Sequence, residues 1–229
     1  MDLNLDYIFP TPIWWVDLDV DVCKMQEICY GIAESMPSKT RSNRGLMNYQ
    51  SPDFFGEEVM KGEPEEDEFA NLLRQIKATA NTAFDSFESC VTTLEFANVW
   101  ININNKGGYN ETHTHPGSLM SGAFYVKVPP EDAGDPGHIC FHRNAMEAYV
   151  IHSLGLAEDL SKAEVPHTFA TWTYPPKEGR LVLFPSWIPH GVRENETEHD
   201  RISISFNLIP NRNKRNMYDI IKSHERSGS

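Results

Sequence analysis

The stretch that decides the fold runs from Gly179 to Ile209 and reads GRLVLFPSWIPHGVRENETEHDRISISFNLI. Its opening, RLVLFPS, is a short apolar run closed by Pro185, as expected of a buried strand that ends in a turn. His190 follows that Pro-rich turn, and a histidine just past a hydrophobic strand end is well placed to enter a cavity. The close, RISISFNLI, alternates polar and apolar residues with the period of a strand, so Arg201 and Ser203 face the same way. Eleven positions separate His190 from Arg201. That is enough chain to turn and return on a neighbouring strand, which would bring a guanidinium into the cavity of the histidine. A buried Arg needs an anionic partner, and a bidentate carboxylate is the best match.

Outward from this stretch the same texture extends back to about residue 93. LEFANVWINI, SGAFYVKV, HICFH and TFATWTY are further short runs rich in Val, Ile, Phe, Tyr and Trp, punctuated by Gly, Pro, Asn and Asp. That many strands in antiparallel order predict a sandwich or jelly roll, mainly β with flanking helices. Residues 1–92 are expected to be an N-terminal strand and helices packed on the core, 93–210 the core, and 211–229 a basic tail or helix. In the first part, YIFPTPIWWVDL reads as a strand broken by Pro10 and Pro12. Val22, Met25, Cys29, Ile32 and Met36 recur at helical spacing, and Pro37 ends the pattern. Lys39 to Phe55 reads as loop. Pro64 suits the first turn of a second helix, whose buried stripe is Phe69, Leu72, Leu73, Ile76, Ala80, Ala83 and Phe87. The acidic run Glu65 to Glu68 complements that helix's positive end rather than marking a metal site.

The chemistry concentrates in two further places. In Asn110-Glu-Thr-His113-Thr-His115-Pro-Gly, extended backbone would aim His113 and His115 to one side, able to converge on one ion. With His190, this gives two or three imidazoles for a transition metal, next to Arg201 and Ser203 gripping a carboxylate. Imidazole suits Fe, Zn, Cu or Ni, so ligand type alone does not select the metal. Tyr125 stands in the following strand, where it can pack in the core or hydrogen-bond a cosubstrate. Asn98, Trp100 and Asn102 alternate on the preceding strand as candidate cavity residues. His138, Cys140 and His142 form a rival set on one face of a strand, with ligand types suited to zinc or copper.

Composition narrows the classes. The chain has 229 residues, 33 Asp/Glu against 20 Lys/Arg, and a formal net charge of -13. A broad nucleic-acid surface is therefore not expected. No apolar run approaches the ~18 residues of a membrane span. The start MDLNLDYIFP lacks the basic region of a secretory leader, so the expected location is cytoplasmic. Cys23, Cys29, Cys90 and Cys140 form neither a CxxC pair nor a small disulfide scaffold and are expected to be reduced. Asn110-Glu-Thr and Asn195-Glu-Thr fit the glycosylation pattern, but without secretion they carry no function.

Residues 98–128 and 179–208 resemble the 2-oxoglutarate/Fe(II)-dependent oxygenase superfamily, and most of all a family of bacterial and phage 2OG-Fe(II) oxygenases. NETHTHPGSLMSGAFYVKVP, EGRLVLFPSWIPHGV and RISISFN carry the resemblance, together with the spacing from His190 to the Arg-x-Ser ending. It implies a double-stranded β-helix (jelly-roll) core, Fe(II) and 2-oxoglutarate as cofactors, and hydroxylation of a small molecule or peptide with release of succinate and CO2. It implies that His113 and His190 bind iron, and that Arg201 and Ser203 bind the distal carboxylate of 2-oxoglutarate. The superfamily usually has His-x-Asp/Glu, and here His115 stands in place of the carboxylate. We read His115 as the third ligand, against the alternative that it stands behind the ligands. Two other readings remain: a cupin-like metal enzyme not using 2-oxoglutarate, and a non-catalytic jelly-roll binding module.

Overall fold

The computed structural model describes residues 10–39, 48–61, 67–85, 93–143 and 171–211. The strands are β1 (Trp14–Asp17), β2 (Asn48–Gln50), β3 (Leu94–Asn104), β4 (Asn110–His113), β5 (Met120–Lys127), β6 (Ile139–His142), β7 (Thr171–Tyr174), β8 (Arg180–Pro185), β9 (His190–Val192) and β10 (Arg201–Pro210). The helices are α1 (Val22–Ser35), α2 (Gly56–Val59) and α3 (Glu68–Asp85). A six-stranded sheet in the order β1-β8-β5-β10-β3-β2 faces a four-stranded sheet in the order β4-β9-β6-β7. All pairings are antiparallel. This is the jelly roll expected from the strand pattern.

The alternation of RISISFNLI makes β10 the centre of the large sheet. Ile202, Ile204, Phe206 and Leu208 are fully buried and join a core with α1 and α3. On β3 a bulge opposite Asn207 and Leu208 skips Ala97. The extra residue changes the phase of the strand, so Leu94 and Phe96 on one side of it, and Val99, Ile101 and Ile103 on the other, all enter that same core. Gly122 on β5 is required by close packing: a Cβ there would lie 2.4 Å from Phe206 Cζ and 2.7 Å from the Val182 carbonyl oxygen.

α1 starts where Asp21 accepts a hydrogen bond from the Lys24 amide at 3.0 Å, an N-cap that satisfies one of the helix's unpaired donors. It buries Met25 and Cys29. α3 buries Phe69, Leu72, Leu73, Ile76, Ala80 and Ala83 as its spacing predicts, and Phe84 as well. Pro64, Glu65, Glu66 and Phe87 lie outside the described residues, as does the tail from residue 212. β1 begins beyond the two prolines and pairs with β8, with Asp17 accepting from Lys177 and Arg180. The stretch read as loop, Lys39 to Phe55, contains β2 and a bridge from Phe54 to Val99. α2 was not legible in the sequence, being four residues long. No helix is long and apolar enough to cross a membrane among the described residues.

Candidate metal centre

Two of the three candidate imidazoles meet because of strand register. β4 pairs with β9 so that His113 and His190 are directly opposed, and Phe141 of β6 is the next residue in the same row. Side chains opposed in this way project to one face, here the face turned toward the large sheet. The ring centroids of His113 and His190 lie 4.6 Å apart. His115 arrives differently. It lies beyond the end of β4, not in the extended alternation expected of it. Its amide donates to the Ser186 carbonyl at 3.0 Å, and that bond fastens its loop to the turn before His190. Its ring lies 4.9 Å from His113 and 5.1 Å from His190. One nitrogen from each ring falls within 4.8 Å of the others.

The outer hydrogen bonds set the tautomers. His113 Nδ1 is 2.6 Å from the Glu111 carbonyl oxygen, and His190 Nδ1 is 2.9 Å from that of Ile188. A carbonyl accepts only, so each Nδ1 carries the proton and each Nε2 is left with its lone pair, as a metal ligand requires. His115 Nδ1 instead lies 3.5 Å from the side-chain nitrogen of Asn207. Asn207 is held by the Ser121 hydroxyl at 2.7 Å and by Asn98 at 2.9 Å, and Ser121 bonds Ser186 at 2.8 Å. Burial pushes the His190 pKa down to about 3. Burial, then the neighbouring His113, takes His115 down to about 4. Both rings are therefore neutral at pH 7.

Arg201, Ser203 and Tyr125 sit across the cavity from this cluster. His190 and Arg201 are not on neighbouring strands: one belongs to the small sheet and the other to the large sheet. The intervening turn is fixed by Asn195, fully buried, whose amide donates to the Asn104 and His199 carbonyls. Asn195 is thus structural despite its glycosylation-like sequence. Arg201 is 1% exposed. Its Nη1 donates to the Pro136 carbonyl at 3.0 Å and the Gly137 carbonyl at 2.5 Å. No carboxylate pairs with it among the described residues. Burial works against its charge, while Tyr125 and Asp135 favour it. Gly137 has φ +81°, and a Cβ there would lie 2.4 Å from Arg201 Nη1. Tyr125 is opposite Ser203 in the register, and burial raises its hydroxyl to about pKa 12.

The cluster separates two spaces. An inner cavity of about 60 Å³ is lined by Tyr125, Arg201, Ser203, Asn102, Phe184 and the three histidines. A wider outer cavity of about 480 Å³ opens beyond His113 and His115, with Trp100 between the two. Asn98, Trp100 and Asn102 all line one space or the other. The rival set does not gather. The Cys140 thiol turns to the His138 carbonyl at 3.6 Å, and both nitrogens of His142 are engaged by threonines, Thr112 and Thr171. The three histidines are the only group of metal-ligating type found together among the described residues. Glu111 does not join them.

The donor set can be tested against the cofactors the resemblance implies. Three converging imidazoles, two of them (His113 and His190) with the Nε2 lone pair left for a ligand, fit a first-row divalent ion. A buried guanidinium that no carboxylate of the described residues pairs with fits a carboxylate supplied from outside. Residues 98–207 match the family model described as "Putative 2OG-Fe(II) oxygenase". The core, residues 98–207, is that of a 2OG-Fe(II) oxygenase, a non-haem iron enzyme whose cofactors are Fe(II) and 2-oxoglutarate. The fold agrees. A prolyl-4-hydroxylase from Pseudomonas putida superposes with a TM-score of 0.58 at 12% identity, covering 88% of this chain and 94% of its own. HygX from Streptomyces hygroscopicus, solved with nickel and 2-oxoglutarate bound, gives 0.54 at 14% identity, covering 88% and 84%. A prolyl hydroxylase from Trichoplax adhaerens gives 0.54 at 12%, covering 86% and 83%. No curated protein sequence matches the chain significantly.

Asn207, Ser121 and Gly137 escaped the sequence reading. Asn207 had a signal: in RISISFNLI it occupies the same alternating positions as Arg201, Ser203 and Ser205. Gly137 had none, because its role comes from a φ of +81° and from the approach of Arg201 and the Arg193 carbonyl in the folded chain.

Proposed function

We propose that His113, His115 and His190 hold Fe(II), and that Arg201 and Ser203 hold the distal carboxylate of 2-oxoglutarate, in an enzyme that hydroxylates a small molecule or peptide. Residues 1–92 are read as the support of the 93–210 core. Bound together, Fe(II) and 2-oxoglutarate supply the activation of dioxygen that places one oxygen atom on a substrate C–H carbon and the other in succinate, with loss of CO2. The chain's own residues bind, orient and exclude. His113 and His190 are oriented by carbonyls and His115 by the Asn207 amide. Tyr125, neutral and buried, can donate a hydrogen bond beside Ser203. The observation that carries the reading is the buried Arg201, paired with no carboxylate among the described residues, across one cavity from three converging imidazoles.

The test is calorimetry on the full chain with Ni(II) as a redox-inert stand-in. Arg201→Ala is expected to weaken 2-oxoglutarate binding about 10- to 100-fold, as for loss of a charge-assisted pair, with Ni(II) uptake retained. Unchanged cosubstrate affinity would remove the assignment of Arg201. His115→Ala is expected to lower Ni(II) affinity, and an unaltered metal content would leave His115 outside the ligand set.

A further inference from the structure

His115 is seated differently from the other two imidazoles, and the protons around it can be followed one by one. The Ser121 hydroxyl donates its single proton to Asn207 Oδ1 at 2.7 Å. It is left to accept from Ser186 Oγ, 2.8 Å away. Asn207 Nδ2 carries two protons. One goes to Asn98 Oδ1 at 2.9 Å, and the other side of Nδ2 meets His115 Nδ1 at 3.5 Å. A proton on that ring nitrogen would set donor against donor. Nδ1 is therefore the acceptor, and the neutral ring carries its proton on Nε2. Neither nitrogen of His115 then offers a lone pair, whereas His113 and His190 each keep Nε2 open. Ser121 and Ser186 are 1% exposed and Asn207 6%, so the protein's own groups set the direction of this chain. Its far end returns to the same loop, because the Ser186 carbonyl accepts from the His115 amide at 3.0 Å.

Resting on the metal-site reading above, we infer that Asn207 is a positioning residue that latches His115 out of the ligand set until its side-chain amide turns over. The turn exchanges Oδ1 and Nδ2. Nδ2 then donates to Ser121, Ser121 donates to Ser186, and Oδ1 faces Asn98 and His115. Asn98 turns in the same way and donates to Oδ1. The second lone pair of Oδ1 accepts from His115 Nδ1. One proton leaves Nε2 for solvent, through the outer cavity that His115 lines, and one from solvent arrives at Nδ1. The ring stays neutral, and Nε2 is freed as a ligand. Hydroxyls donate or accept, and an amide can present either end, so every contact survives with its direction reversed and no buried group is left unpaired. The other two rings have no such choice. Their carbonyl partners only accept and hold one tautomer throughout. An ion would thus engage His113 and His190 first, and His115 would join on reversal of the chain.

The test is nuclear magnetic resonance on the full chain with isotopically labelled histidine at pH 7. Two-bond nitrogen–proton correlations report which ring nitrogen carries the proton, and Zn(II) serves as a diamagnetic probe. The signals of His115 are those lost in His115→Ala. Without metal, His115 is expected to be protonated on Nε2, and His113 and His190 on Nδ1. With Zn(II), the His115 proton should be found on Nδ1. His115 already protonated on Nδ1 without metal, or still on Nε2 with Zn(II) bound, would overturn the inference. Two isosteric substitutions read the effect on affinity by calorimetry, each adding one carboxylate to the same chain. Asn207→Asp accepts from His115 Nδ1 at all times and should raise Zn(II) affinity about ten-fold, in the range of groups that orient a metal ligand. Asn98→Asp obliges Asn207 Nδ2 to keep donating toward it and should leave Zn(II) binding no tighter than in the unaltered chain. Equal tightening by both would reduce the effect to added charge and remove the latch. Absence of Zn(II) binding by the unaltered chain would sink the metal-site reading itself. Zn(II) binding with an unchanging His115 tautomer would remove the latch alone.

Discussion

The two faces of the six-stranded sheet are made from the same strands and have opposite characters. Toward α1 and α3, β3 and β10 present Val99, Ile101, Ile103, Ile202, Ile204 and Phe206, all buried. Toward the small sheet the same two strands present Asn98, Trp100, Asn102, Arg201, Ser203, Ser205 and Asn207. One face therefore stabilises the fold by removing apolar area from water. The other places buried polar groups, which are costly unless paired, and they are paired in chains such as Ser186–Ser121–Asn207–Asn98. Alternation along a strand thus lets one segment serve packing and chemistry at once, and the two functions should separate under mutation.

The largest separation is expected from Ile101→Ala. It removes a fully buried side chain from the helix face and should cost about 2–5 kcal/mol in unfolding stability, measured by denaturant titration. Where the protein stays folded, Ni(II) and 2-oxoglutarate affinities should be nearly unchanged. A large loss of ligand affinity in folded protein would break the division of faces. A second contrast compares two glycines of positive φ. Gly137→Ala drives a Cβ toward Arg201 Nη1, whereas Gly117 has φ +90° and nothing within 4 Å of a Cβ. Both substitutions carry backbone strain of about 1–3 kcal/mol, but only Gly137→Ala should weaken 2-oxoglutarate binding. Equal effects would mean that Arg201 is not seated by this loop.

How much of this was legible follows from length and periodicity. β3, β5, β8 and β10 are long enough to show their pattern, and the Arg201–Ser203 face follows from alternation alone. β2, β4 and β9 have three or four residues each, too few for a period to register. Asn-Tyr-Gln in β2 is recruited by the edge of β3 rather than by its own preference. His113 and His115 do converge, yet through a strand pairing and a pinned loop rather than through one extended segment. Asp53 became part of the outer cavity through tertiary pairing, which no local signal announces.

A smaller effect sharpens the comparison inside the polar face. Asn207→Leu keeps the branching of the side chain and deletes the contact to His115. It should lower Ni(II) affinity about 10- to 100-fold, as expected for a group that orients a ligand, with less effect on 2-oxoglutarate contacts at Arg201. An unaltered Ni(II) isotherm would make Asn207 a packing residue only. An effect confined to alkaline pH touches both faces. Burial raises Cys29 from 9.0 to about 12 and Tyr125 from 10.0 to about 12. Below pH 9 the folded and unfolded states hold the same protons at these groups. Between pH 9 and 12 the unfolded chain loses them first, so stability should fall as pH rises through that window. Cys29→Ala and Tyr125→Phe should each flatten part of that decline. A decline of the same slope in both variants would assign it to other groups.

The register that opposes His113 to His190 joins an edge strand of four residues to its neighbour through their side chains as well as their backbones. An ion shared by the two would act as a clasp on the rim of the small sheet. Amide exchange at residues 110–113 would then slow on metal loading far more than at β10, which is paired on both sides. The enzyme's rim would be ordered by the same event that equips it for chemistry.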